Sequence, residues 1–348
     1  MSESAIPNKK RYSVLSIIQI ISCFIILLKH AIPDSVSDDG LLFRGFCFVM
    51  NTASIDFFAL AAFMIASGLL CNMSLSRHRL SYPLFVSKRA ARLLAPYFVI
   101  NTLLYVPKSF LNQYMQAKTE LSFMAYFEML LTPRNGVSAN LWFLPVLFVF
   151  GVLSPLLYKL YSLQGKKWRI ICVVLSLVIV FIPNTTNFLC VNDIRNYFFF
   201  YCFGFMSKDE LLHLLTYAKK KETIVAGVLA IAAIVLSFSI RRISMGRVVY
   251  LLCGVSLIFA VSILLDRSRL KGPLMYFDNK TFPIYILSFP VMTAVDIVFG
   301  ILNVPVLVTV VCMLLSGIII PVLICEIIRL IEVKTNHGLR IVRSIIGG

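Results

Sequence analysis

Ten stretches of this chain are apolar almost without interruption, and several reach about 18 or more residues with few charges. A helix of that length crosses roughly 30 Å of hydrocarbon. A lipid-exposed backbone has no water to bond with, so only helices or closed barrels can cross. A barrel would show short alternating segments, and these runs do not alternate. The chain of 348 residues is 59% hydrophobic and only 14% charged, too apolar for an ordinary soluble domain. The expectation is an all-α polytopic membrane protein, with residues 1–348 as one domain and no internal repeat or added soluble domain. The predicted spans are Ser13–Ile32, Phe46–Leu70, Leu93–Phe110, Leu141–Tyr161, Trp168–Ile182, Asn196–Met206, Thr223–Ile240, Val248–Leu265, Phe282–Phe299 and Val306–Leu330. The sixth is short, and is expected to start earlier, to tilt or to be partly re-entrant.

Charge sets the sidedness. The net charge is +17, from 33 Lys and Arg against 16 Asp and Glu. In a soluble chain that excess would suggest nucleic acid. Here the basic residues cluster between apolar runs, so topology accounts for them and no nucleic-acid partner is expected. With ten spans and a cytoplasmic N-terminus, most of the Lys and Arg fall on inside segments, as the positive-inside rule requires. Both termini are then cytoplasmic. The exception is the loop with Arg241, Arg242 and Arg247, which this topology puts outside. Met1–Lys10 is polar and basic, but no A-x-A cleavage pattern follows the first span. The first helix is therefore read as uncleaved. The nine cysteines form no CxxC pair and mostly lie in apolar runs, which argues against a disulfide framework or a metal site.

Polar residues inside such spans are costly and mark candidate chemistry. His30 lies near the outer end of the first span, roughly 25 Å along it. Its plain alternative is a headgroup-level His beside a snorkelling Lys29. Gln19, eleven residues earlier, shares its helix face. Asp56 opens the second apolar run and is positioned to orient a histidine. Arg89 and Arg92, three apart, share one side of a helix start at the cytoplasmic boundary, next to Lys88. Guanidinium forks suit phosphates, although anchoring at the inner face alone needs no such spacing. Trp142 at an outer edge is read either as an aromatic-belt residue or as part of a site. In the long outer segment Lys108–Asn140, "LSFMAYFEMLL" reads as an amphipathic helix on the interface.

Taken together and in order, these segments resemble the acyltransferase 3 family. The residues that carry the resemblance are His30, "DFFALAAFMI", Arg89 with Arg92 and Pro96, "LWFLPVLFVFGVLSPLL" and "TFPIYILSFPVM". It runs from Arg11 to about Pro321. The chain departs from the family pattern at four places. Gln19 stands for a basic residue, Ser16 for an acid, Ala61–Ala62 for a Ser-Gly pair and Ser288 for a histidine. The resemblance implies a bacterial inner-membrane enzyme that moves an acyl group, often acetyl, from cytoplasmic acyl-CoA to a hydroxyl of an extracytoplasmic or lipid-linked glycan. It implies His30 and Asp56 as catalytic residues, and Arg89, Arg92, Lys88 and Gln19 as contacts to the acyl-CoA donor. It further implies Asn140, Trp142, Tyr285 and Ser288 as acceptor contacts, with no permanently bound cofactor. Arg134, Asp193 and Arg195 in the outer loops are further acceptor candidates. The competing readings are an exporter subunit for polysaccharide or lipid-linked sugar, and a catalytically inactive homologue.

Overall fold

Apolar runs that cannot pair their backbone with water close their hydrogen bonds internally. The computed structural model of the chain describes residues 8–33, 40–77, 81–111, 120–163, 165–183 and 186–335. Among these residues it contains helices and no strand. In chain order the helices are α1 (Asn8–Ala31), α2 (Leu41–Ala53), α3 (Ile55–Arg77), α4 (Tyr82–Phe110), α5 (Phe123–Leu131), α6 (Phe143–Ser162) and α7 (Lys166–Ile179). They continue with α8 (Val191–Met206), α9 (Lys208–Tyr217), α10 (Lys220–Ser237), α11 (Ser244–Asp266), α12 (Lys271–Met275), α13 (Thr281–Ile301) and α14 (Val306–Thr335). The predicted outer segment "LSFMAYFEMLL" does form a helix, α5. Residues 1–7 and 336–348, on which part of the charge count rests, lie outside the described residues.

Among the described residues seven helical stretches are long and apolar enough to cross a membrane: Ser13–Ala31, Ile55–Arg77, Tyr82–Phe110, Ala139–Ser162, Ser244–Asp266, Lys271–Ile301 and Val306–Ile331. The other three predicted spans correspond to α7, α8 and α10. The first two have 14 and 16 residues, and α10 opens with Lys220, Lys221 and Glu222. The helix that holds the predicted sixth span, α8, begins at Val191, earlier than its apolar run, with Asp193 and Arg195 in its first turns. The second run is broken. Ser54 adopts left-handed backbone angles (φ 51°, ψ 48°) and separates α2 from α3. The carbonyls freed there find donors. The Tyr250 hydroxyl donates to Ala53 O at 2.7 Å, and Arg241 Nη2 approaches Thr52 O at 3.5 Å.

The chain divides into two compact units, each assembled from three stretches. The first comprises Met1–His78, Leu156–Ile182 and Tyr197–Thr281. In it α1, α3 and α11 pack on one another and α10 packs on α11. The core of α1 is Ile17, Ile18 and Ile20, and α3 adds Ala59, Ala61, Ala62 and Ala66. Ala61 and Ala62, which stand where the family pattern has Ser-Gly, are thus fully buried. Without a hydrophobic drive between lipid-solvated helices, association depends on close packing at small residues. Helices α3 and α8 show this. A Cβ at Gly204 would lie 2.1 Å from the Ile65 carbonyl oxygen, and one at Gly68 would lie 2.1 Å from that of Tyr201. Asn72 Nδ2 then donates to the Phe205 carbonyl at 2.8 Å.

The second unit comprises Arg79–Pro155, Pro183–Asn196 and Phe282–Gly348. Its core joins Leu93, Tyr97 and Ile100 of α4, Leu141 of the turn before α6, Leu144 of α6, and Ile286 of α13. Helix α5 is capped by Ser122, whose Oγ accepts from the Ala125 amide at 3.1 Å. It is tied to α4 by the Tyr97 hydroxyl, which donates to Leu130 O at 2.9 Å. Phe123, Met124 and Phe127 remain exposed on its other face.

Candidate active site

In the first unit, α1 carries Ser16, Gln19, Cys23 and His30. Helical periodicity puts these four within about 60° of one another. The strip is partly open. Ser16 and Gln19 are half-buried and His30, in the last turn, is exposed, while Leu15, Ile17, Ile18 and Ile20 are buried. Cys23 Sγ points to the Thr281 carbonyl at 3.8 Å. Ser22, outside the strip, has a fully buried hydroxyl without a hydrogen-bond partner among the described residues. At the far end of α1, Ser13 Oγ donates to Asp266 Oδ1 at 2.5 Å and accepts from Lys271 Nζ at 3.0 Å. Lys271 also pairs with Asp266 at 2.7 Å.

The end of α1 that carries His30 is clamped to the α2–α3 break. Lys29 Nζ donates to Asn51 Oδ1 at 2.6 Å, and Asn51 Nδ2 donates to the Pro33 carbonyl at 3.0 Å. Lys29 is thus held by protein. Asp56, half-buried, lies in the first turn of α3, two residues past the break. The structure therefore gathers His30, Asp56 and the break at one end of this unit. Asn51 and Tyr250 were not singled out in the sequence, because their partners, Lys29 and the Pro33 carbonyl for Asn51 and the Ala53 carbonyl for Tyr250, lie on other helices or loops.

In the second unit, Arg89 and Arg92 both lie on α4. The side chain of Arg89 runs along Gly151 of α6, with its guanidinium 5.3 Å from the Phe85 ring. Arg92 is exposed and lies 5.9 Å from the ring of Phe282 at the start of α13. No carboxylate pairs with Arg92 among the described residues. Lys88 is exposed beside them.

The acceptor candidates of this unit form a second group. Arg134 and Asp193 make a two-pronged ion pair, Nε–Oδ2 at 3.1 Å and Nη2–Oδ1 at 2.5 Å. The Arg134 guanidinium covers the Trp142 ring at 3.9 Å. Trp142 is buried, only 5% exposed, so it is not an aromatic-belt residue and instead supports Arg134. The Tyr285 hydroxyl donates to the Asn140 carbonyl, and Asn140 Nδ2 lies 3.5 Å from the Tyr285 carbonyl. Two buried acceptors, Asn140 Oδ1 and Ser138 Oγ, have no hydrogen-bond partner among the described residues. Ser288 is buried in the contact of α13 with Gly317 of α14, apart from the Asn140–Tyr285 link. Arg195 donates from Nη2 to Asn196 Oδ1 at 2.7 Å.

Sequence reasoning missed the turn that leads into α8. Leu189 and Cys190 both take positive φ, 50° and 58°, and Cys190 Sγ points to the Trp142 carbonyl at 3.7 Å. Such angles cost on the order of 1–3 kcal/mol each in residues with a side chain. No glycine or proline signals the turn. Among the described residues no cluster of His, Cys, Asp or Glu is arranged to hold a metal ion.

A chain whose described residues are helical, with seven helices of spanning length among them and an exposed His on a polar strip of one, is a membrane protein with a candidate catalytic centre. The model of the acyltransferase 3 family, described as an acyltransferase domain, matches residues 13–326, nearly the whole chain. The chain belongs to that family and is a membrane acyltransferase. No curated protein and no solved structure matches it.

Proposed function

We propose that the protein moves an acyl group from acyl-CoA to a hydroxyl of an extracytoplasmic or lipid-linked glycan, in the inner membrane of a bacterium. In this reading residues 1–348 form a single catalytic domain. It crosses ten times, with α7, α8 and α10 completing the seven longer spans and both termini cytoplasmic. The His30 end of the first unit is then outside.

One observation carries the reading: the only exposed member of the α1 strip is its imidazole, held at the clamped end of the helix near the start of α3. A base that takes a proton from an incoming hydroxyl must be within reach of that hydroxyl. In the proposed reaction Arg89 and Arg92, with Lys88, hold the phosphates of the donor. Guanidinium forks bind such groups through two parallel hydrogen bonds. The neutral His30 imidazole takes the acceptor proton as its oxygen attacks the thioester carbonyl. The carbon–oxygen bond forms, the carbon–sulfur bond breaks, and His30 returns the proton to the departing thiolate. Base catalysis of this kind contributes typically ~10²–10⁴-fold. Asp56 orients His30 and offsets the imidazolium charge. Gln19 offers the donor a hydrogen bond without a charge. Asn140 Oδ1, a buried acceptor without a partner among the described residues, suits a sugar hydroxyl.

The test is mass spectrometry of surface glycan from cells with wild-type protein, His30→Ala and no protein. The expected result is an added acyl mass with wild type only, at equal membrane levels of both proteins. Equal acylation by His30→Ala would rule out the base assignment. An unaltered glycan in wild-type cells, with no stabilisation of purified protein by coenzyme A, would favour an exporter subunit.

A further inference from the structure

The loop between α10 and α11 carries Arg241 and Arg242, and the first turn of α11 carries Arg247; in the topology proposed above all three lie on the side where the positive-inside rule disfavours them. Topology therefore does not account for them. The loop is tightly built. A Cβ at Gly246 would lie 2.0 Å from the Ile240 carbonyl oxygen, so only glycine lets the chain pass there. The Ile243 amide donates to Ile240 O at 3.1 Å, and the Arg247 amide to Ile243 O at 2.7 Å. Arg241 is fixed over the Phe238 ring at 3.4 Å, donating from Nη1 to Phe238 O at 2.6 Å. Arg247 lies 5.2 Å from the ring of Phe57, the residue after Asp56. Arg242 is exposed.

None of the three pairs with a carboxylate among the described residues. Arg134, Arg169, Arg329, Lys208, Lys219 and Lys271 all do. The cluster also sits at the His30 end. Lys29 holds Asn51, and the carbonyl of the next residue, Thr52, meets Arg241. Three guanidinium groups that pair with no acid among the described residues suit a multiply charged phosphate ester, which they bind through parallel hydrogen bonds.

We infer that Arg242 and Arg247 bind a phosphate ester carried by the acceptor, with Arg241 as a positioning residue. The acceptor is then a phosphate-bearing glycan or glycolipid. This rests on the sidedness and the His30 assignment proposed above.

The experiment measures thermal stabilisation of the purified full chain in non-ionic detergent. The probes are farnesyl pyrophosphate, inorganic pyrophosphate, dioleoylphosphatidylglycerol and coenzyme A, applied to wild type and to Arg242→Gln/Arg247→Gln. Farnesyl pyrophosphate should stabilise wild type, with its apparent affinity at least about tenfold weaker in the variant. The effect should fade at about 0.5 M salt, where exposed charges are screened within ~5 Å. Stabilisation by coenzyme A should be the same in both proteins, which shows that the variant is folded. A shift with inorganic pyrophosphate, lost in the variant, supports a site that reads phosphate itself. An equal farnesyl pyrophosphate response in both proteins, or none in either, overturns the inference. So does an equal or larger arginine-dependent shift with phosphatidylglycerol, which would make the arginines headgroup anchors. Loss of coenzyme A stabilisation in wild type instead counts against the acyl-transfer reading, so the two failures are distinguishable.

Discussion

Asp193 holds Arg134 with both carboxylate oxygens across 59 residues of sequence, and it is the buried partner, 5% exposed. Removing the guanidinium leaves a buried carboxylate uncompensated. Arg134→Leu should therefore destabilise the purified protein by roughly 3 kcal/mol, more than the double variant Arg134→Leu/Asp193→Leu. Thermal unfolding in detergent of both single variants and the pair checks this. A double variant as damaged as the sum of the singles would show the two to be uncoupled.

Arg89 and Arg92 should matter to the donor, and unequally to Lys88. A charge-assisted hydrogen bond contributes roughly 1.5–3 kcal/mol, so each Arg→Ala should weaken coenzyme A binding about tenfold or more. Lys88→Ala should change it less, because a lone ammonium binds as a point charge. Calorimetric titration of coenzyme A into each variant measures the ranking. An unchanged affinity in Arg89→Ala/Arg92→Ala would remove the arginines from the donor site.

The approach of α3 to α8 leaves no room for a side chain at position 204. Gly204→Ala should cost roughly 1–3 kcal/mol through overpacking, whereas Gly272→Ala, with open space around it, should be close to neutral. Melting temperatures of the two variants provide the comparison.

A fourth expectation concerns pH. Asp209 accepts from the Tyr161 hydroxyl at 2.6 Å and from Arg169 Nη1 at 3.1 Å, with Lys208 beside it at 3.8 Å. Burial alone would raise its carboxyl, but the Tyr161 bond and the Lys208 and Arg169 charges outweigh burial and hold it below the usual range. A carboxyl lowered in the folded state stabilises above its unfolded value of about 3.9, and that contribution is lost as pH falls through the folded value. The stability gap between wild type and Asp209→Asn should be constant from about pH 7 to 5 and shrink below about pH 4. A gap independent of pH would mean that the carboxylate charge contributes nothing.

How much of this was legible in the sequence depended on whether the cause was local. Apolar runs read directly as helices, because backbone satisfaction in hydrocarbon is a local matter. The polar strip of α1 followed from helical period, and so did the shared side of Arg89 and Arg92. The break at Ser54 was not legible. The apolar run passes through it, and its stability depends on Tyr250 and Arg241, nearly 200 residues away in sequence. Trp142 showed the same limit from the other side. At a span edge it fitted a lipid belt, and only the distant Arg134–Asp193 pair made it a buried support. The early start of α8 was among the expectations, because its apolar run was short; the pairing of Asp193 with Arg134 within the fold was not legible.

The break at Ser54 also decides where a helix begins electrically. Aligned peptide dipoles place about half a unit of positive charge at a helix N-terminus. Were residues 41–77 one continuous helix, that pole would lie beside Leu41, about 20 Å from Ile55. With α3 starting afresh at Ile55, the pole falls on the turn that holds Asp56. The backbone itself thus supplies a positive field at the carboxylate proposed to face the reacting histidine.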